Sequence, residues 1–170
     1  MTASVFRRFL LVAVAMITPL QPGLFFTGTW IGEGDLIPHP AVRWLVPKES
    51  VSFVSRTTWL SDTIWVVRER FEFSSGNSIP RTMFVEIVGA DRLHVTADDM
   101  PLGADIFLYE KGFRFSPYFI WAYSRGRRWQ LRCLDENIID ENGTIHDTIK
   151  MFSWGFPVAT MIFVVNRIEG

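Results

Sequence analysis

Between Thr63 and Phe73 every second residue reads Thr63, Trp65, Val67, Glu69, Phe71, Phe73, while Arg68, Arg70 and Glu72 lie between them. Successive side chains of a β-strand point to opposite faces, so this segment predicts a strand with one mainly aromatic and one charged face. Glu69 breaks the pattern, standing as a carboxylate where an apolar residue belongs. Phe113, Phe115, Phe119, Trp121 and Tyr123 are read as one face of a later strand, with Pro117 among them and Arg114, Ser116 and Tyr118 opposite. Ile145, Asp147, Ile149 and Met151 share a face near the C-terminus, again with one acid in an apolar row.

Turn-forming clusters punctuate the chain at Ser74-Ser75-Gly76-Asn77, Gly89-Ala90-Asp91, Glu110-Lys111-Gly112, Ser124-Arg125-Gly126 and Glu141-Asn142-Gly143. Between them lie runs rich in Val, Ile, Phe, Trp and Thr, over about 25–36, 50–60, 63–73, 81–88, 92–98, 104–109, 113–123, 128–135, 144–152 and 158–167. Short strands at regular spacing, with no helical pattern between them, imply a sandwich or barrel. One-sided aromatic faces suit a sheet closed on itself, because closure removes exposed edges. The expected fold is an all-β, antiparallel, up-and-down barrel of about 8–10 strands over residues 23–170, preceded by a short hydrophobic segment or helix at 1–22. An aromatic interior of that size holds one small ligand.

Composition agrees. The chain has 170 residues, enough for one domain with a sizeable core, and 48% are apolar, which excludes disorder. Formal net charge is −1 and no block of like charge occurs, so no nucleic-acid partner is expected. The Arg125-Gly126-Arg127-Arg128 cluster falls at an expected turn and reads as solvated rather than as a membrane-binding patch. Cys133 is the only cysteine, which leaves no intramolecular disulfide, cysteine-based zinc site or N-terminal lipidation cysteine. Arg7 and Arg8 precede an apolar run from Phe9 to Leu20, the outline of a secretory signal and too short to span a membrane comfortably. Export, or membrane association through residues 5–20, is the favoured expectation. A packed N-terminal helix would instead leave a cytoplasmic protein.

Gly28-Thr29-Trp30 opens the first strand and Arg167 closes the last. This resembles the lipocalin (calycin) pattern, in which a Gly-x-Trp packs beneath a late Arg or Lys. The indole and guanidinium attract through cation–π contact and plug the closed end of the barrel. The alternative is an ordinary core Trp and a solvated terminal Arg. Glu69-Arg70-Phe71-Glu72-Phe73 with Gly76, Thr96-Ala97-Asp98-Asp99 with Gly103-Ala104, and Lys150-Met151-Phe152 with Gly155 resemble a bacterial lipocalin-like family of uncharacterised envelope proteins. That resemblance implies a lipid-like or hydrophobic ligand and supplies no activity. Gly28 to Gly34 resembles, more faintly, the first strand of haem-binding nitrobindin-type barrels, which need a late histidine ligand. His146 is the only candidate. His39, His94 and His146 show no His-x-x-His spacing, so neither a metal nor any other cofactor is expected.

Two function classes follow. In the first, the barrel binds or carries a small hydrophobic molecule (fatty acyl, isoprenoid or polyketide-like), with Trp44, Trp65, Phe71, Phe115, Trp121 and Tyr123 as wall residues and Glu69 orienting a polar end. In the second, the same pocket is a cofactor-free isomerase or cyclase with Glu69 or Asp147 as acid or base. A carboxylate desolvated among aromatics has a raised pKa suited to such work, whereas one paired with a buried Arg is inert architecture. Pairing is favoured for Glu69. Asp98 and Asp99 are read as turn or mouth residues, because Pro101 and Gly103 follow. A third reading, a purely structural protein, requires a barrel filled by its own Trp and Phe side chains.

Overall fold

The computed structural model describes residues 26–124 and 127–168, so the signal-like segment at 1–22 lies outside the described residues. The chain forms β1 (Gly28–Pro38), β2 (Glu49–Trp59), β3 (Ile64–Phe73), β4 (Ser78–Ile87), β5 (Arg92–Ala97) and β6 (Met100–Tyr109). Then come β7 (Gly112–Phe115), β8 (Tyr118–Ser124), β9 (Arg127–Ile139), β10 (Ile145–Ser153) and β11 (Phe156–Ile168). A 3₁₀ turn at Pro40–Val42 is the one helical element of any length among the described residues. Neighbours pair antiparallel in sequence order, and β11 pairs with both β10 and β1, which closes the ring.

The seventh position in the wall is shared. β7 pairs with residues 136–138 of β9, and β8 pairs with residues 127–133 of the same strand. They are two halves of one broken strand, so the barrel has ten staves, one for each run of the sequence pattern. The break falls at Ser116-Pro117, where proline brings no N–H to the ladder. Phe113 and Phe115 face the cavity, and the next inward residue is Tyr118, three positions on rather than two. A shift of one residue sends every later side chain to the other face. Phe119 and Trp121, expected inside with Phe113, therefore pair with the outward-facing Arg132 and Gln130.

The end of the barrel where β1 begins is plugged. Phe26 stacks on Trp65 with ring centroids 6.2 Å apart and meets Phe113 edge-on at 5.0 Å. Trp30 is buried beside them, and the guanidinium carbon of Arg167 lies 6.0 Å from its ring centroid, the outer limit of a cation–π contact. Gly28 makes this approach feasible: its φ is +106°, and a Cβ there would sit 3.2 Å from the Arg167 side chain. Packing is much tighter between β1 and β11, where a Cβ on Gly34 would sit 1.8 Å from the backbone oxygen of Ile162. The deepest core residues are Trp65, Leu93, Val95, Cys133 and Phe163.

Candidate functional site

The interior is not filled. A cavity of about 160 Å³ runs between the plugged end and the middle of the barrel. Its aromatic wall includes Trp30, Phe53, Trp65, Phe71, Phe113, Phe115 and Phe163. Ser55, Glu69, Arg81, Tyr118, Asp135, Asn137 and Asp147 interrupt that wall with polar groups. A barrel packed solid by its own side chains is thereby set aside.

Glu69 stands opposite Arg81 in the β3–β4 ladder. The two are not hydrogen-bonded: Nη1 of Arg81 is 3.9 Å from Oε2 of Glu69. Arg81 turns instead to Asp99, donating from Nε to Oδ1 at 3.0 Å. Asp99 belongs to the turn after β5, and its neighbour Asp98 is exposed. Burial is the main influence on Glu69 and outweighs the guanidinium, so its pKa is pushed up to about 6. Arg81 remains charged, its pKa raised by Glu69 and Asp99 against the opposing effect of burial.

Across the cavity a second acid group forms around Asp135. Tyr118 donates its hydroxyl to Oδ2 of Asp135 at 3.1 Å, and Nδ2 of Asn137 donates to Oδ1 at 2.6 Å. Burial lifts Asp135 to about 6 in spite of these donors. Asp147, opposite Asn137 in the β9–β10 ladder, also hydrogen-bonds Asp135. Burial, then the charge of Asp135, pushes Asp147 well above the carboxylate range, so Asp147 carries the shared proton. Among the described residues, two polar atoms on the cavity wall have no hydrogen-bond partner: Oδ1 of Asp147 and Nη2 of Arg81. Burial also pushes the Cys133 thiol up to about 12.

The structure gathers Glu69, Asp147, Trp65, Phe71 and Phe115 around one cavity, with Trp30 at its base. Trp44 is elsewhere: it sits in the β1–β2 connection, 73% exposed. The loop carries no strand alternation that could turn the indole inward. Trp121 lies on the outer face because of the Pro117 break, its ring 3.8 Å from the guanidinium carbon of Arg128. The backbone of Tyr123 pairs with Arg128, and its side chain lies outside the described part of the structure. His146 also faces outward, its Nε2 3.2 Å from Oδ2 of Asp140, so it offers no ligand to a group inside the barrel.

Sequence reasoning missed Arg81, Tyr118, Asp135 and Asn137. A hairpin centred on the Ser74–Asn77 turn sets residue 69 against residue 81, so Arg81 was within reach of that argument. Leu131, Cys133, Asp135 and Asn137 share one face of β9, which the expected run, stopping at 135, cut short. Only the Tyr118 inversion had no signal beyond Pro117.

Fold and site together define a lipocalin-like antiparallel barrel with an acid-rich interior. No family model and no curated protein sequence matches the chain. Among solved structures, it is similar to an S-type phycobiliprotein lyase from Guillardia theta, at 8% identity over 93% of this chain and 97% of that one, with a TM-score of 0.63. It is also similar to Rv2717c from M. tuberculosis, at 10% identity over 88% of this chain and 97% of that one, TM-score 0.56. A DUF3598-family protein of unknown function from Nostoc punctiforme gives 19% identity and a TM-score of 0.57 over 89% of this chain. The match spans 51% of that longer protein. At such identities the likeness establishes the barrel and nothing finer.

Proposed function

We propose that the protein binds a small, compact hydrophobic molecule inside the barrel. The observation that carries this reading is a cavity left in a core dense with aromatic side chains. Well-packed interiors contain few voids larger than a water molecule, so a retained space of about 160 Å³ is a feature to be explained. An apolar cavity of roughly 150 Å³ takes a benzene-sized molecule, whereas drug-sized ligands use about 300 Å³ or more. Of the hydrophobic classes that suit such a wall, one-ring or short-branched molecules therefore fit better than a long acyl chain.

Native mass spectrometry of the purified protein, followed by titration with neutral one-ring compounds such as toluene and benzyl alcohol, tests the reading. Trp30 and Trp65 lie in the wall, so occupancy is read directly in tryptophan fluorescence. Saturable binding or a copurified molecule is the expected result. An empty protein that responds to none of these compounds overturns it.

A second reading is favoured by the Asp135–Asp147 pair. One proton shared by two buried carboxyls, with Glu69 at about 6, is suited to proton transfer near neutral pH. On this reading the barrel is a cofactor-free isomerase or cyclase with Asp147 as acid. Retained binding but lost turnover in Asp147→Asn would support it, once a substrate is in hand.

A further inference from the structure

Resting on the binding function above, we infer that the cavity selects a ligand bearing a basic nitrogen, held as a cation against Asp147 and Asp135. Glu69, Asp135 and Asp147 line the interior with three carboxyl groups, and Arg81, which also reaches out to Asp99, is the one guanidinium among the described lining residues. With Asp147 holding its proton, two carboxylates against one guanidinium leave a net negative charge in a low-dielectric space, and Arg81 is further neutralised by Asp99. Uncompensated buried charge is costly, and an incoming cation removes that cost while an anion adds to it.

Geometry points the same way. Arg81 is already taken up by Asp99 at 3.0 Å and Glu69 at 3.9 Å, so it has little attraction left for a carboxylate ligand. Oδ1 of Asp147 is buried on the cavity wall with no donor, although its partner Asp135 receives Tyr118 and Asn137. An ammonium or ring N–H at that point supplies the missing donor. The unpartnered Nη2 of Arg81 is matched by a neutral oxygen elsewhere on the ligand. A metal ion is a poorer occupant, because among the described residues no three His, Cys, Asp or Glu side chains converge as ligands. Aromatic faces from Phe53, Phe71 and Phe163 complete a surface that attracts organic cations.

The pH dependence has a definite sign. The titratable groups around the cavity are Glu69 from β3, Arg81 from β4, Asp99 from the turn after β5, Tyr118 from β8, Cys133 and Asp135 from β9, and Asp147 from β10. The cavity walls of β1, β2, β5, β6, β7 and β11 supply no ionisable side chain. Glu69 and Asp135 titrate near 6, so the negative field grows as pH rises from 5 to 7.5, where a primary amine stays protonated.

Benzylamine, benzyl alcohol and benzoate form a matched set of one-ring probes for the full-length protein. At pH 7.5 benzylamine is expected to bind at least about tenfold more tightly than benzyl alcohol, and benzoate not at all. Benzylamine affinity is expected to fall toward pH 5 while benzyl alcohol affinity stays level. Asp135→Asn lowers benzylamine affinity toward that of benzyl alcohol, because Asp135 rather than the protonated Asp147 carries the charge, and Glu69→Gln provides a second test should the first variant fail to fold. Equal affinities for amine and alcohol, or tighter binding of benzoate, would overturn the inference and leave the hydrophobic-binding function standing. If none of the three binds, both fall.

Discussion

Replacing Glu69 with Gln decides whether that residue is a structural ion-pair partner or a desolvated acid held at a cost. In the folded protein its pKa is about 6 against an ordinary 4.5. A carboxyl group with a raised pKa contributes stability that is complete below about pH 4.5 and is lost as pH climbs through 6. One and a half pH units correspond to about 2 kcal/mol. The Gln side chain keeps the shape and never ionises, so the variant escapes that loss. It should match wild type at pH 4 and exceed it by about 2 kcal/mol at pH 8, roughly 4–8 °C in Tm for a domain of this size. Thermal unfolding of both proteins from pH 4 to 8, followed by circular dichroism, measures the difference directly. Arg81 keeps its 3.0 Å bond to Asp99 in the variant, so its own charge remains paired. If Glu69→Gln is instead less stable at pH 8, the 3.9 Å contact with Arg81 outweighs burial and the reasoning fails.

Three further outcomes follow from the same geometry. Tyr118→Phe removes one donor from Asp135, so the carboxyl pKa should rise further, and stability at pH 8 should fall by about 1.5–3 kcal/mol with a smaller loss at pH 5, measured by NMR titration and urea unfolding. Cys133 is fully buried and its thiol is pushed up to about 12, so it should resist a thiol-modifying disulfide reagent at pH 8 until the protein is unfolded in guanidinium. Gly34→Ala forces a methyl group onto the Ile162 backbone oxygen and should cost about 3 kcal/mol or more, seen as a lowered urea midpoint.

The barrel was legible because period-two alternation survives in almost every strand. The ten runs of apolar and β-branched residues correspond to the ten staves, and the Glu69 and Asp147 anomalies do mark the interior. What the pattern could not carry was register across the barrel. Asp135 meets Asp147 only through the β9–β10 ladder, and Arg81 reaches Asp99 only when the turn after β5 folds back over β4. Trp44 illustrates a different limit: a large apolar residue in a loop obeys no alternation, and its hydrophobicity alone does not place it indoors. Trp121 and Tyr118 exchanged expected faces for a local reason, the proline between Phe115 and Tyr118.

That proline break gives the barrel a point of evolutionary leverage. Upstream of it, Phe113 and Phe115 belong to the plugged half of the cavity; downstream, Tyr118 belongs to the acid network. Losing or gaining one residue at Ser116-Pro117 would rotate β8 by half a turn in a single event. Phe119 and Trp121 would then face the lumen and Tyr118 the solvent, while the lower half kept its lining. A single-codon deletion could thus exchange the Tyr118 hydroxyl beside Asp135 for two aromatic rings, a change that point substitutions would have to assemble one side chain at a time.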